Sequence, residues 1–178
     1  PEALLEGLAW DAMEHRYASL SDLRSYCARV ASAVGAMMCV LMRVRDADAL
    51  ARACDLGVAM QLTNIARDVG EDARAGRIYL PLDWIHAEGL DPQSVLSATQ
   101  ASPELRRMVK KLLSEAHALY ARSEVGVAAL PLNARTGIYA ARYIYAAIGQ
   151  AVTRNHYDSI THRGRTNRVQ KMVLLAKS

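Results

Sequence analysis

Residues 61–72 combine amide, carboxylate and guanidinium side chains at helical spacing. Asn64, Asp68 and Asp72 recur every four residues, so on a helix they share one face. Four residues of helix rise about 6 Å, which allows two carboxylates to share or bridge divalent cations. Hard oxygen ligands suit Mg²⁺ or Mn²⁺, and Mg²⁺ usually takes one or two carboxylates together with phosphate and water. Glu71 lies at the edge of this row as a further carboxylate.

Arginines flank the acidic row at Arg67, Arg74 and Arg77. Guanidinium groups bind phosphate through paired N–H donors. Gln61 and Asn64 add amides to an apolar helix, and buried amides need partners that diphosphate oxygens or metal-bound waters would supply. Carboxylates four residues apart are also common on solvated helix surfaces, where their repulsion costs only about 0.2–0.5 kcal/mol. The adjoining arginines and amides favour a site for a metal-bound diphosphate over a solvated face.

The segment QLTNIARDVGED (61–72), followed by GRIYLP (76–81), resembles the second aspartate-rich motif of the squalene/phytoene synthase family. Residues 16–17 and 22–35 resemble the family's substrate-cavity helix, and residues 157, 158, 163 and 171 resemble its C-terminal stretch. This resemblance covers nearly all of the chain, and its phytoene-forming branch is the most similar. It implies an isoprenoid-synthase bundle of α-helices around a central cavity.

The resemblance implies a prenyltransferase that condenses two allylic diphosphates head to head. In the phytoene-forming branch these are two geranylgeranyl diphosphates, joined through a cyclopropyl diphosphate to give phytoene, a carotenoid precursor, with release of diphosphate. Such an enzyme needs Mg²⁺ or Mn²⁺ and no NADPH. We expect Asp68 and Asp72 to be catalytic metal ligands, with Glu71 as a third. The expected substrate-binding residues are Gln61, Asn64, Arg67, Arg77 and Tyr26, of which Tyr26 is also expected to act in catalysis beside the departing diphosphate.

Family members carry two aspartate-rich motifs on facing helices, whereas this chain has one convincing pair. Glu2 and Glu6 have the spacing, but their surroundings do not match the first motif. We therefore expect the chain to be a C-terminal portion of a longer synthase, with an incomplete cavity and little turnover alone. Two alternatives stay open. One is a squalene or dehydrosqualene synthase that uses farnesyl diphosphate, and the other is a non-catalytic helical module that binds a membrane surface or a partner protein.

Composition favours a single all-helical domain over residues 1–178. Hydrophobic residues make up 52% of the chain, with no Phe, and Ala, Leu and Met outnumber the β-branched types, which favours helix. No strand pattern is convincing. A largely apolar helix, with Ser21 as a candidate N-cap, is expected to line the isoprenoid cavity with Tyr26 at its polar entrance, and Tyr145 is expected in the packed core. The pattern predicts helices over residues 2–17, 22–43, 48–72, 81–88, 92–96, 102–130, 134–157 and 168–177.

The positive charge of the chain is concentrated at its end. The net charge is +4, and no acidic residue follows Asp158, so an anionic membrane surface or a diphosphate is an expected partner. No nucleic-acid motif accompanies the cluster, and nucleic acid is not expected. The sequence opens without a basic signal-peptide region, and its longest uncharged run, 30–42, is too short to span a bilayer. We expect a cytoplasmic protein with peripheral membrane contact, in which the cysteines are reduced core thiols; the resemblance adds association with other carotenoid-pathway enzymes.

Overall fold

A 28-residue helix, α4 (Ala47–Arg74), runs through the middle of the fold, and most of the other helices pack against it. The computed structural model describes residues 1–176 and places no strand among them, which confirms the all-α prediction. A turn of π-helix (Ala28–Ser32) and a short 3₁₀-helix (Glu124–Ala129) join neighbouring elements. The other α-helices are α1 (Glu2–Ala12), α2 (Leu20–Cys27), α3 (Ala33–Leu41), α5 (Leu82–Ala87), α6 (Pro92–Leu96), α7 (Pro103–Ser123), α8 (Leu132–Arg154) and α9 (Arg168–Ala176).

Small residues let α4 approach the π-turn closely. A Cβ atom added to Gly57 would lie 2.7 Å from the backbone nitrogen and Cα of Ser32, a distance that side-chain atoms do not tolerate. The Ser32 hydroxyl also donates to the Cys54 carbonyl over 2.7 Å. The π-turn is therefore fixed directly against the centre of α4, and π-turns inside helices are frequent at functional sites.

The predicted helix 2–17 is too long, because α1 ends at Ala12 and Glu14 adopts φ 51°. The second helix begins at Leu20, and its N-cap is Ser19 rather than Ser21. The reason is a capping box in which the Ser19 hydroxyl accepts the Asp22 N–H while the Asp22 carboxylate accepts the Ser19 N–H. The π-turn then divides the predicted helix 22–43, which ends at Leu41.

The C-terminal half follows the predicted pattern with shifted boundaries. Ser102 caps α7 as predicted, but the last turns before residue 130 are 3₁₀ rather than α. The predicted helix 134–157 ends early at Arg154, because His156 and Tyr157 adopt φ 54° and 60°. Lys177 of the predicted last helix lies outside the described residues.

The core is built mainly from aliphatic residues, with tyrosines, Met108 and Trp84. Cys27 and Cys39 are buried and Cys54 is half-buried, and all three are free thiols, as predicted. Across residues 1–176, no helix combines the length and apolarity that crossing a membrane requires.

Candidate functional site

The acidic row occupies the C-terminal end of α4, where the helix dipole is negative. Asp68 and Asp72 are half-buried on this helix, and Glu71 between them is exposed. Among residues 1–176 no three carboxylate, imidazole or thiol groups converge on one point where they could hold a metal ion alone. A metal at this position would need further ligands from a substrate phosphate or water.

Two arginines bind Asp68, one adjacent to it in the sequence and one from the C-terminal loop. Arg67 Nε donates to Asp68 Oδ1 over 2.8 Å, and its Nη2 donates to Oδ2. Arg163 Nε donates to Asp68 Oδ1 over 2.8 Å, and its Nη1 lies 3.1 Å from Glu71 Oε2. Burial opposes the ionisation of Asp68, but the hydrogen bonds from Arg67 and Arg163 outweigh it and hold its pKa below the usual value. Asp68 is therefore a carboxylate at neutral pH.

Asp72 has the opposite electrostatic environment. Burial, followed by repulsion from Asp68 and Glu71, raises its pKa to about 7, while the nearby Arg77 guanidinium lowers it in part. The Arg77 N–H also donates to the Asp72 carbonyl over 2.8 Å, so the loop after α4 turns back over this end of the helix. Repulsion of Asp72 by Asp68 and Glu71 is a condition that a divalent cation would relieve.

The loop 158–164 positions Arg163 by packing on Gly70 of α4. The Gly70 N–H donates to the Ser159 carbonyl over 2.9 Å, and a Cβ at Gly70 would lie 2.6 Å from the Ile160 carbonyl oxygen. Asp158 holds the loop from within, because it accepts the N–H groups of Ile160 and Thr161 over 3.1 and 2.9 Å. Arg163 therefore reaches Asp68 from a fixed turn.

A basic pocket opens beside this ion pair. It has a volume of about 180 Å³ and takes four of its seven lining residues from cationic types: Arg67, Arg163, Arg165 and Lys171. No acidic residue lines it. Such a concentration of guanidinium and ammonium groups suits a phosphate or diphosphate.

An apolar cavity of about 360 Å³ lies further toward the N-terminal end of α4. Its walls come from the π-turn, α3, α4, the 3₁₀ turn and α8, and they include Val30, Ala31, Met38, Ala53 and Met60. Gln61 and Asn64 contribute polar groups to the wall, with Asn64 Nδ2 donating to Gln61 Oε1 over 3.4 Å. The volume is typical of a small-molecule site. As predicted, the apolar helix 22–43 lines this cavity.

Of two tyrosines considered in the sequence, one lies where it was predicted. Tyr145, expected in the packed core, packs against the core and also lines the apolar cavity. Tyr26, expected at the cavity entrance, lies outside the cavity lining and is buried beside Tyr17 and Tyr79. The reason is a carboxylate on α1, because the Tyr26 hydroxyl donates to Asp11 Oδ2 over 2.8 Å. Burial, together with hydrogen bonding to Tyr79 and Asp11, raises the pKa of Tyr26 far above its usual value.

A sequence model of the squalene/phytoene synthase family matches residues 1–172. The chain belongs to the squalene/phytoene synthase family. It is 62% identical over 178 residues to a phytoene synthase of Cereibacter sphaeroides and 59% identical over 178 residues to one of Rhodobacter capsulatus. A 15-cis-phytoene synthase of Pantoea ananas is 42% identical over 171 residues, which is 96% of this chain. The chain covers 50%, 52% and 55% of these relatives, so it spans about half of their length.

The fold of this family member is also that of solved isoprenoid-synthase structures. A dehydrosqualene synthase in complex with ligand superposes with a TM-score of 0.89 at 33% identity, covering 98% of this chain and 62% of that one. A squalene synthase of Alicyclobacillus acidocaldarius superposes with a TM-score of 0.81 at 24% identity, covering 87% of this chain and 59% of that one. These superpositions confirm the predicted isoprenoid-synthase bundle.

The structure divides the predicted site residues of this family member among three neighbouring places. Gln61 and Asn64 line the apolar cavity, Arg67 lines the basic pocket beside Asp68, and Asp72 lies against the loop that carries Arg77. Tyr26 belongs to a separate tyrosine cluster. Sequence reasoning assigned no role to Asp11 or Tyr79, and it counted Arg165 only as part of the basic C-terminal end of the chain. The GRIYLP segment was a signal for Tyr79, but nothing in the spacing of Asp11 indicated a tyrosine partner.

Proposed function

We propose that this chain supplies the diphosphate-binding and cavity-forming part of a phytoene synthase. The reaction is the head-to-head condensation of two geranylgeranyl diphosphates to phytoene, with release of diphosphate and without NADPH. Support comes from the family membership and from relatives that are phytoene synthases. The placement of the acidic–basic cluster next to the apolar cavity on one helix carries the proposal.

Helix α4 contributes residues to both the apolar cavity and the basic pocket, a short distance apart. Met60, Gln61 and Asn64 line the apolar cavity, and Arg67 lines the basic pocket one turn further along. An allylic diphosphate has the same division, with a charged head joined to an apolar tail. In this proposal the head lies against Arg67 and Arg163 while the tail occupies the cavity.

The donor set fits a metal that is shared with a diphosphate. Asp68 and Asp72 would hold Mg²⁺ or Mn²⁺, with Glu71 close by, and substrate phosphate would complete the coordination. The raised pKa of Asp72, to about 7, reflects burial and repulsion from Asp68 and Glu71 that Arg77 only partly offsets, which favours this assignment. When bound, the metal supplies positive charge that stabilises the departing diphosphate.

Ionisation of the allylic diphosphate also requires neutralisation of the leaving group and exclusion of water, and residues of the chain itself supply both. Arg67 and Arg163 neutralise the leaving diphosphate, and the positions of both are fixed by Asp68. The apolar walls around Val30, Met38 and Met60 keep water away from the allylic cation. Gln61 and Asn64 place amide dipoles between the polar and apolar parts. No side-chain nucleophile is required.

A dehydrosqualene synthase that uses farnesyl diphosphate is the second candidate. The observation that favours it is the superposition on a dehydrosqualene synthase with a TM-score of 0.89 at 33% identity. The higher identities, 62% and 59%, are to phytoene synthases, so the C20 substrate is our first choice. A non-catalytic module would have little use for a carboxylate row that faces cationic residues.

A chimera tests the reaction directly. This chain would replace the matching residues of the Cereibacter sphaeroides phytoene synthase, and the purified chimera would receive geranylgeranyl or farnesyl diphosphate with Mn²⁺ and no NADPH. We expect phytoene and diphosphate from the C20 substrate, and a loss of at least about 100-fold in Asp68→Asn. Product from farnesyl diphosphate alone would favour the second candidate, and no product from either would contradict the proposal.

We also propose that α9 brings the enzyme to an anionic membrane surface. Its outward face exposes Val169, Met172 and Val173 at 68%, 69% and 51%, while Arg168 is exposed beside them. An apolar face bordered by cations is typical of helices that lie in a bilayer interface. Sedimentation of the chimera with phosphatidylglycerol vesicles should exceed that with phosphatidylcholine vesicles, and Val169→Ser with Met172→Ser should lower it. Equal sedimentation with both vesicles would contradict this contact.

A further inference from the structure

The Asp11 carboxylate joins three elements through two tyrosine hydroxyl groups. Its Oδ2 accepts the Tyr26 hydroxyl over 2.8 Å, and its Oδ1 accepts the Tyr79 hydroxyl over 2.7 Å. Asp11 lies on α1, Tyr26 on α2, and Tyr79 on the loop that follows the acidic end of α4. Hydrogen bonds to a charged acceptor are the stronger kind, so Asp11 fixes both hydroxyl groups.

The three tyrosine rings around this carboxylate form a packed cluster. The Tyr26 and Tyr79 centroids are 5.3 Å apart with an interplanar angle of 28°, and Tyr17 lies 5.2 Å from Tyr26. Tyr26 is 2% exposed and Tyr17 is 1% exposed. Within the described part of the chain the buried Tyr17 hydroxyl has no hydrogen-bond partner. The rings can therefore move little, and the orientation of their hydroxyl groups depends on Asp11.

We propose that Asp11 is a positioning residue for the condensation, acting through Tyr26 and Tyr79. A phenol has one proton to donate, and Asp11 takes that proton in both cases. The two phenol oxygens therefore offer only lone pairs to any group that approaches them. Lone pairs and aromatic rings stabilise positive charge and repel diphosphate oxygens. Tyr26 is buried outside the cavity lining, so the cluster acts through the half-buried Tyr79 beside Asp72, while the arginines beside Asp68 act on the leaving group.

The cluster is coupled to the acidic row through the loop after α4. Tyr79 and Arg77 line a small pocket together with Asp72, and Arg16 Nη2 donates to the Gly76 carbonyl over 2.8 Å in the same loop. Through Tyr79, the Asp11 hydrogen bond therefore also fixes the loop against the end of α4. This assignment rests on the proposed function, because a positioning role needs a reaction.

The test uses the chimera with Asp11→Asn, which keeps the size of the side chain. An amide oxygen accepts one hydroxyl, but the amide nitrogen is a donor, so one tyrosine must turn its proton elsewhere. We expect kcat to fall between about 10- and 100-fold with KM within about threefold, since misplacing a group near the reacting atoms costs rate rather than binding. Glu2→Gln, a change at an exposed carboxylate on the same helix, is the matched control and should leave both constants unchanged.

A spectroscopic measurement separates positioning from general structural damage. NMR of ¹³Cζ-labelled tyrosine in the chimera, assigned with Tyr26→Phe and Tyr79→Phe, should show both signals shifted in Asp11→Asn and unchanged in Glu2→Gln. Tyr26→Phe added to Asp11→Asn should lower kcat by less than it does alone, because the two residues act as one unit.

The outcomes separate this proposal from the proposed function. If the unmodified chimera makes product and Asp11→Asn retains kcat within twofold, the positioning role is wrong while the function stands. A parallel loss in Glu2→Gln, or a fall in kcat with unchanged tyrosine signals, would also overturn it. An inactive unmodified chimera would instead overturn the proposed function, and this inference with it.

Discussion

Arg163 Nε donates to Asp68 Oδ1 over 2.8 Å and joins residues that are 95 positions apart in the sequence. This ion pair connects the C-terminal loop to the polar end of α4 and closes one side of the basic pocket. A diphosphate that entered the pocket would meet Arg163 already oriented by the carboxylate. The aspartate-rich motif of α4 therefore works together with the C-terminal loop of the chain.

Replacing Arg163 with Gln should weaken diphosphate binding. The substitution removes one cation from the pocket and one hydrogen bond from Asp68, and because Arg163 is partly exposed we expect a loss of about tenfold in affinity. Calorimetric titration of the chain with inorganic diphosphate and Mn²⁺ measures it. Arg154→Gln, a change of the same type at an exposed position on α8, should bind like the unmodified chain. Equal affinity of Arg163→Gln and the unmodified chain would show that the pocket does not bind diphosphate.

The helices and the aspartate-rich motif could be predicted from the sequence because both depend on the spacing of nearby residues. Asn64, Asp68 and Asp72 needed only helical periodicity and the resemblance to be placed on one face of α4. The pairing of Asp68 with Arg163 could not be predicted from local spacing, because it depends on a distant loop that packs on Gly70. The Asp11–Tyr26 bond was missed for the same reason, since it depends on how α1 and α2 pack. The exact ends of α1 and α8 depended on residues with positive φ that carry no sequence signal.

The stability of the chain without metal should depend on pH through Asp72. Its pKa is about 7 in the folded state and about 3.9 in an unfolded chain. The unfolded state therefore releases the proton first, so the free energy of unfolding falls as pH rises from about 4 to about 7 and then levels off. Asp72→Asn should remove this dependence and raise the free energy of unfolding at pH 8 by about 1–2 kcal/mol after allowance for screening.

Urea unfolding in EDTA at pH 4 and pH 8 measures this difference. Asp48→Asn, a change of the same type at the exposed N-terminal end of α4, should alter stability by no more than about 0.5 kcal/mol at either pH. If Asp72→Asn and the unmodified chain have the same pH dependence, burial and repulsion from Asp68 and Glu71 do not raise the pKa of Asp72 as the structure indicates.

The contact between α4 and the π-turn should tolerate no added methyl group. Gly57→Ala would place a Cβ 2.7 Å from the Ser32 backbone, and we expect a loss of about 1–3 kcal/mol in the free energy of unfolding. Gly137→Ala is the matched control, because a Cβ there meets nothing within 4 Å. As an exposed helical position on α8 it should instead gain about 0.5–1 kcal/mol. Thermal unfolding of the two variants should therefore shift in opposite directions, and equal shifts would contradict the packing.

The walls of the apolar cavity should determine which isoprenoid chain length the enzyme prefers. Ala53 lies in that wall, and its carbonyl oxygen would be only 3.1 Å from a Cβ added at Gly35, so α3 and α4 pack closely at this part of the wall. Ala53→Phe should fill part of the space that a C20 tail needs more than a C15 tail does. In the chimera we expect kcat/KM for geranylgeranyl diphosphate to fall about tenfold or more relative to that for farnesyl diphosphate.

Ala51→Phe provides the control for this substitution, since Ala51 is exposed two residues earlier on α4. It makes the same chemical change outside the cavity and should leave the ratio of the two kcat/KM values unchanged. If Ala53→Phe lowers kcat/KM equally for both substrates, the cavity binds the tail without discriminating between C15 and C20 chains. A preserved ratio with full activity would mean that the tail lies elsewhere. A selective loss of the C20 substrate would place the isoprenoid chain between α3 and α4, with its diphosphate toward Arg67.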